Sequence, residues 1–322
     1  MTASIIYIII GLALLVYGGD WLVKGSVAVA ERAGLSHMVI GLTIVAFGTS
    51  APELLVSLLS ALQGNSGIAL GNVVGSNIAN IALILGATAL LKAAPSTRQT
   101  IHVDMPFLLI ASTLLIMVAQ TGTIERWHGA IWLVMLIGFT AWQIYQSRSK
   151  KDAANDETDS DEQPSRVEAA LKRYIILAVV VIVASLAALS YGADMLVDGA
   201  TSIARQLGVS DRIIGLTIVA VGTSLPELFA SLMAARRGET DMAIGNIIGS
   251  NLFNILCVLG LTSVICPIAN ANMGFTADYS WMFGLTALLW VFLITERRLS
   301  RWEGDVLLGL YVVYIATTTL FI

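Results

Sequence analysis

The sequence predicts an all-α integral membrane protein, with ten transmembrane helices arranged as two inverted five-helix repeats. Three observations carry that prediction: apolar runs along the whole chain, a long segment repeated at one offset, and basic residues that sort to alternate loops. Hydrophobic residues make up 57% of the 322 and charged residues only 12%, about half the charged share of a soluble domain. A mean hydropathy of +0.81 asks for lipid as the solvent, because a water-soluble globule could not cover so much apolar surface. The net charge is −4 and the 18 basic residues are scattered along the chain, so a nucleic-acid partner is excluded.

The first five spans are expected near residues 4–25, 38–62, 68–91, 105–120 and 127–146. The second five are expected near 172–195, 213–235, 242–265, 279–295 and 303–321. The first is apolar from Ile5 onward, without a basic leader or a small-residue cleavage site, and reads as a retained span. This gives a first repeat over 1–146, a cytoplasmic acidic linker over 147–171 and a second repeat over 172–322. The linker holds Asp152, Asp156, Glu157, Asp159, Asp161, Glu162 and Pro164, a disordered-linker composition without the glycine a helix-loop-helix calcium loop needs. Cys257 and Cys266 stand nine positions apart in one expected helix, about 13 Å of rise, too far for a disulfide.

The repeat is explicit. Gly41-Leu42-Thr43-Ile44-Val45-Ala46-Phe47-Gly48-Thr49-Ser50-Ala51-Pro52-Glu53-Leu54 returns as Gly215-Leu216-Thr217-Ile218-Val219-Ala220-Val221-Gly222-Thr223-Ser224-Leu225-Pro226-Glu227-Leu228, an offset of about 174 residues. Gly71-Asn72-Val73-Val74-Gly75-Ser76-Asn77 with Asn80 matches Gly245-Asn246-Ile247-Ile248-Gly249-Ser250-Asn251 with Asn254 at the same offset. The motif regions are 41–58 and 71–86 in the first half, 215–232 and 245–260 in the second.

Five spans per half is an odd number, so the second half enters the membrane inverted. With the N-terminus outside, the inner loops hold about 15 of the 18 basic residues, leaving only Arg126, Arg205 and Arg212 outside. That asymmetry follows the positive-inside rule and places both termini outside and the linker in the cytoplasm.

Glu53 and Glu227 fall near the middle of the second and seventh spans, where an unpaired carboxylate costs several kcal/mol. No Lys or Arg lies at that depth in any expected span, so protons or bound cations must neutralise them. Pro52 and Pro226 precede the glutamates and cannot donate to the carbonyls of Gly48 and Gly222, which predicts broken helices with freed carbonyl oxygens. Thr49 and Ser50 share a helix face with Glu53, as Thr223 and Ser224 do with Glu227. Such oxygen donors suit calcium and sodium, whereas zinc or copper would call for His or Cys. Asn72, Ser76 and Asn80 form a second polar face at one-turn spacing, repeated by Asn246, Ser250 and Asn254. A plain packing role for Gly71, Gly75 and their flanking amides is compatible with that reading.

The remaining polar residues read as peripheral. Gly18-Gly19-Asp20 does not complete the Gly-x-Gly-Asp of intramembrane aspartyl proteases, and the second copy reads Gly192-Ala193-Asp194. Asp20 is expected to pair with Lys24, Asp194 and Asp198 to lie toward the outer face in a cation access path, and Asp104 to start a helix at the interface. His37, His102 and His128 form no ligand spacing, and Trp127 and Trp302 read as boundary anchors.

The paired Gly-Thr-Ser-x-Pro-Glu and Gly-Asn-x-x-Gly-Ser-Asn-x-x-Asn segments resemble the two alpha repeats of the cation/calcium exchanger superfamily, in particular its compact prokaryotic sodium/calcium exchangers. The resemblance implies that Glu53 and Glu227, helped by Thr49 and Thr223, hold calcium in competition with sodium. It implies sodium sites at Ala46, Ser50 and Ser250 and at Ala220, Ser224 and Ser76, with Asn80 and Asn254 flanking the centre. The amide at Asn254, where potassium-dependent relatives carry aspartate, argues against a potassium requirement. The proton-coupled branch shows Gly-Asn-Ala-x-Glu, and this sequence follows the sodium pattern.

The implied activity is sodium/calcium antiport by alternating access in a prokaryotic plasma (inner) membrane, with three sodium ions for one calcium as the usual stoichiometry. Proton/calcium antiport is the alternative and a passive cation channel the rival from another class. Calcium and sodium are the transported ions and lipid the surroundings. No enzyme chemistry, no cofactor and no obligatory protein partner is expected.

Overall fold

The computed structural model describes residues 2–153, 166–209, 218, 220–269, 271 and 274–320. Thirteen helices are described among them. The first half holds α1 (Thr2–Ala33), α2 (His37–Thr49), α3 (Ala51–Leu62), α4 (Ser66–Leu91), α5 (Thr100–Gln120) and α6 (Arg126–Ala153). Helix α7 (Arg166–Arg173) leads into the second half, which holds α8 (Ile175–Gln206), α9 (Ala220–Gly222), α10 (Leu225–Arg236), α11 (Thr240–Ile265), α12 (Thr276–Thr295) and α13 (Arg301–Leu320). Among the described residues seven helices are long and apolar enough to cross a membrane, and the bent pair α2 and α3 makes an eighth. The motif residues Gly215, Leu216, Thr217 and Val219 and the linker residues 154–165 lie outside the described ones.

Large apolar side chains face outward along the long helices, among them Ile9, Val134, Ile137, Ile176, Val183 and Val312. Such a surface is stable only against lipid, and the helices satisfy their own backbone groups there. The chain is thus an all-α membrane protein.

Two apolar clusters fill the interior. The larger joins α2, α4, α5, α6, α11, α12 and α13 through residues such as Ile84, Leu115, Trp132, Leu256, Leu289 and Leu307. The smaller joins α1 to α8 through Leu15, Leu22, Ile182 and Leu189 and reaches α10 and α11 through Ala230, Ala234 and Met242. Helices α1 and α8 touch backbone to backbone. A Cβ on Gly11 would lie 2.7 Å from the Gly192 carbonyl oxygen, and one on Gly192 would lie 2.9 Å from that of Gly11, so only glycine permits this contact.

Two short strand pairs clasp one half to the other. Strand β1 (Ala94–Pro95) pairs antiparallel with β4 (Arg298–Leu299), and β2 (Thr123–Ile124) pairs with β3 (Ile268–Ala269). Each joins the loop after α4 or α5 of one half to the loop after α12 or α11 of the other.

Three expectations shift. Helix α6 runs on to Ala153 and α7 begins at Arg166, so helix enters the 147–171 segment from both sides. Asp104 lies near the start of α5 as expected, but it is fully buried and accepts a hydrogen bond from the Gln143 side-chain amide. The expected helix breaks are present but fall two residues before the prolines. Helix α2 ends at Ser50 (φ −85°, ψ 8°), α10 starts after Ser224 (φ −93°, ψ 7°), and each proline occupies the first turn of the helix that follows, where its missing N–H costs nothing. Cys257 and Cys266 are both free, as their spacing requires.

Candidate ion-binding site

The break between α2 and α3 bends the chain by 44° and puts Glu53 in the first turn of α3. Glu227 takes the same place in α10. The unpaired N–H groups of a helix start favour negative charge, so the two carboxylates sit where the backbone itself tolerates them best. Both are fully buried.

Ser50-x-x-Glu53 has the spacing of a helix capping box. The hydroxyl does not cap. It crosses to the other half and donates to Glu227 Oε1 at 3.0 Å, and Ser224 in turn donates to Ser76 Oγ at 3.4 Å. Thr49 donates to the carbonyl of Val45 (3.1 Å) and toward Asn246 Oδ1 (3.4 Å). These bonds bring the starts of α3 and α10 against the polar faces of α4 and α11.

The amides of those faces bind in a two-fold pattern. Asn72 Nδ2 donates to Ser57 Oγ (2.9 Å) and to the Glu53 carbonyl (3.2 Å), and Asn246 Nδ2 repeats this on Ser231 (2.9 Å) and Glu227 (3.4 Å). Asn80 Nδ2 donates to Asn251 Oδ1, and Asn254 Nδ2 to Asn77 Oδ1, each at 3.1 Å. Asn80 and Asn254 lie at the start of π-helical turns, Asn80–Leu85 and Phe253–Leu259, a distortion often found at functional positions.

Counting partners shows what the site lacks. Both Glu53 oxygens, Glu227 Oε2, Asn80 Oδ1, Asn254 Oδ1 and Ser250 Oγ are buried without a hydrogen-bond partner among the described residues. Two buried carboxylates without a counter-charge cost several kcal/mol each. All but the serine hydroxyl are pure acceptors, and the hydroxyl accepts as well. A cluster of oxygen acceptors is the inner coordination shell of a hard cation. Among the described residues no three of His, Cys, Asp and Glu converge, and the donors here are two carboxylates with neutral oxygens.

The rest of the expected set is placed unevenly. Ala46 is fully buried against the tight crossing of α2 with α11, Ser76 and Ser250 lie on the inward faces of α4 and α11, and Thr223 is half-buried. Ala220 opens α9, and its side chain lies outside the described ones. Asn77 and Asn251, present in the repeated motif but not singled out, turn out to hold Asn254 and Asn80. Their signal was the recurrence of Asn three positions before each of those amides.

Access to the breaks differs on the two sides. A cavity of about 400 Å³ is lined by Pro52, Thr223 and Pro226 from the breaks and by Asp194 and Asp198 from α8. At the corresponding positions of the first half, Asp20 is bound by Lys24 (3.1 Å) and by Arg237 (2.5 Å), which also reaches Glu168 of α7 at 3.4 Å. Of the histidines, His37 pairs with Glu239 at 2.5 Å, bridging the start of α2 to the start of α11.

The chain matches the family profile described as "Sodium/calcium exchanger protein" over residues 3–145 and 177–320. It is 40% identical over 317 residues to the "Putative antiporter CaxA" of Alkalimonas amylolytica, with 98% of each chain covered. It is 33% identical to the "Sodium/calcium exchanger MaX1" of Methanosarcina acetivorans, again with 98% of each covered. A solved structure of the sodium-calcium exchanger NCX_Mj superposes with a TM-score of 0.80 at 32% identity, covering 98% of this chain and 99% of that one. Full-length matches at this identity, over a fold that buries paired carboxylates among neutral oxygens, make the chain a membrane cation/calcium antiporter, not an enzyme, and a member of the sodium/calcium exchanger protein family.

Proposed function

We propose that the protein exchanges sodium for calcium across the membrane by alternating access. One observation carries the reading: among the described residues Glu53 and Glu227 are buried without a cationic partner, beside amide and hydroxyl acceptors that also lack partners. One calcium ion neutralises both carboxylates. Sodium ions occupying Ser50, Ser76, Ser224, Ser250 and the backbone oxygens of Ala46 and Ala220 would displace it, with Thr49 and Thr223 shared between the two states. A proton could neutralise either glutamate but has no use for this wide neutral oxygen set, which favours sodium over the proton-coupled alternative.

The moving part is α1 with α8, which pack on each other through Leu15, Leu22, Ile182 and Leu189 and on the breaks from one side. In the present conformation the cavity beside Asp194 and Asp198 opens toward the site, while ion pairs around Asp20 close the opposite mouth. The distribution of basic residues supports a cytoplasmic closed mouth with both termini outside. A cavity walled by two carboxylates concentrates cations at the open mouth.

Calcium uptake into proteoliposomes preloaded with sodium, with potassium, or with an imposed pH gradient alone tests this. Sodium-driven accumulation above the outside concentration is expected, together with one net positive charge leaving the vesicle for each cycle in which three sodium ions exit and one calcium enters. Uptake driven by the pH gradient alone would transfer the coupling to protons, and equilration-level uptake in every condition would indicate a channel. Glu53→Gln and Glu227→Gln are each expected to abolish calcium transport; full flux in both would remove the site assignment.

A further inference from the structure

We infer that Asn77 and Asn251 are positioning residues that set which end of the Asn254 and Asn80 side-chain amides faces the transported ion. The inference rests on the proposal that cations bind between Glu53 and Glu227.

A side-chain amide has an acceptor end and a donor end of nearly the same shape. Only the oxygen coordinates a cation; the NH2 group turned inward would repel it. Something must therefore hold the NH2 group away from the ion. Asn251 Oδ1 accepts from Asn80 Nδ2 and Asn77 Oδ1 accepts from Asn254 Nδ2, both at 3.1 Å. With the donor ends engaged there, the oxygens of Asn80 and Asn254 are left buried without a hydrogen-bond partner among the described residues. All four amides are 1% exposed or less, so water cannot substitute for the lost acceptor.

The arrangement is reciprocal across the two halves. The first half's Asn77 orients the second half's Asn254, and the second half's Asn251 orients the first half's Asn80. Asn77 is itself tied down, its Nδ2 directed to the Asn251 carbonyl at 3.5 Å and to Met282 Sδ at 3.7 Å. Among the described residues neither Asn77 nor Asn251 presents an unpartnered oxygen; the one unpartnered polar atom of this pair is Asn251 Nδ2, a donor that cannot coordinate a cation, which separates them from the ligands they serve. Replacing either by an apolar residue of similar size frees the amide it holds to rotate and turn its donor end inward.

Calcium binding to the purified, detergent-solubilised full chain, titrated calorimetrically, reads this without requiring transport. Asn251→Leu is expected to weaken calcium binding about tenfold, and Asn80→Ala by a similar factor. The double variant is expected to bind no worse than Asn80→Ala alone, because Asn251 acts only through Asn80. In proteoliposomes Asn251→Leu should raise the calcium KM about tenfold with the maximal rate changed less than twofold; a merely structural defect would lower the maximal rate instead. Unchanged calcium affinity in Asn251→Leu, or losses that multiply to about a hundredfold in the double variant, would overturn the inference. If Asn251→Leu does not reach the membrane, Asn77→Leu paired with Asn254→Ala reads the same quantities on the other half. Absence of calcium binding by the unsubstituted chain would overturn both readings, whereas intact binding without sodium-driven uptake would overturn the transport proposal alone.

Discussion

Ser50 and Glu227 are 177 positions apart in sequence, and the hydroxyl of the first donates to the carboxylate of the second at 3.0 Å. The serine sits at the break of one half and the glutamate one turn past the break of the other, so the first half's interrupted helix reaches into the first turn of its counterpart, whereas Ser224 donates to Ser76 instead of Glu53. A hydrogen bond to a charged group contributes about 1.5–3 kcal/mol. Ser50→Ala is therefore expected to raise the half-saturating sodium concentration at least about tenfold, measured as sodium inhibition of calcium uptake in proteoliposomes. An unchanged value would mean that this bond is not used when ions are bound.

Arg237 is the residue that ties α10 to α1 and α7 through Asp20 and Glu168. Partly exposed ion pairs are worth up to about 1 kcal/mol, enough to shift a two-state balance about fivefold. Arg237→Ala should favour the conformation in which the cavity at Asp194 is closed. With Cys257 and Cys266 replaced by serine, a Leu55→Cys probe on the cavity wall should react several-fold more slowly with an impermeant thiol reagent when Arg237 is absent. Equal rates would show that the pair does not contribute to closure.

Gly249 meets α2 with no room to spare: a Cβ there would lie 2.6 Å from the Leu42 carbonyl oxygen and 2.7 Å from Ala46 Cβ. Gly249→Ala must push the two helices apart, at about 1–3 kcal/mol. A lower melting temperature in detergent is expected together with weaker sodium binding, since Ala46 moves with α2. A variant with unchanged melting temperature would show that the crossing can relax freely.

Asn72 and Asn246 hold the glutamate-bearing turns by the same two bonds in each half. Asn72→Ala and Asn246→Ala should each weaken calcium binding by about tenfold, from bonds worth about 1 kcal/mol apiece. Calorimetric titration of both variants checks the symmetry; a large effect in one with none in the other would show that a single half supplies the affinity.

Much of the site was legible because chemistry and repetition coincide in short segments. Glu53 and Glu227 announced themselves by being charged in apolar runs, and the matching Thr-Ser-x-Pro-Glu strings fixed their local surroundings. The place of the break was less legible. Proline suggested a gap inside a helix, but the backbone turns two residues earlier, at Ser50 and Ser224, and proline then starts the next helix. What the sequence could not show is where side chains go once the halves dock. The capping spacing of Ser50 and Glu53 gave no hint that the hydroxyl crosses to Glu227. Asn77 and Asn251 looked like ordinary motif amides, and Asp104 like a helix start, because their partners Asn254, Asn80 and Gln143 are brought to them only by tertiary packing.

The two strand clasps bear on how the molecule could have arisen and how it can change. Because β1 closes on β4 and β2 on β3, the halves are clasped at two points, and in the proposed exchange cycle the surface that slides would run elsewhere, along α1 and α8, to which each half contributes one helix. Neither half owns a complete engine: a lone copy would need an antiparallel twin to finish its clasps and its amide pairs. Fusion into one chain then lets the copies diverge, as Lys24 and Asp198 have at matching positions, while every residue that reaches across the seam keeps a veto over its opposite number.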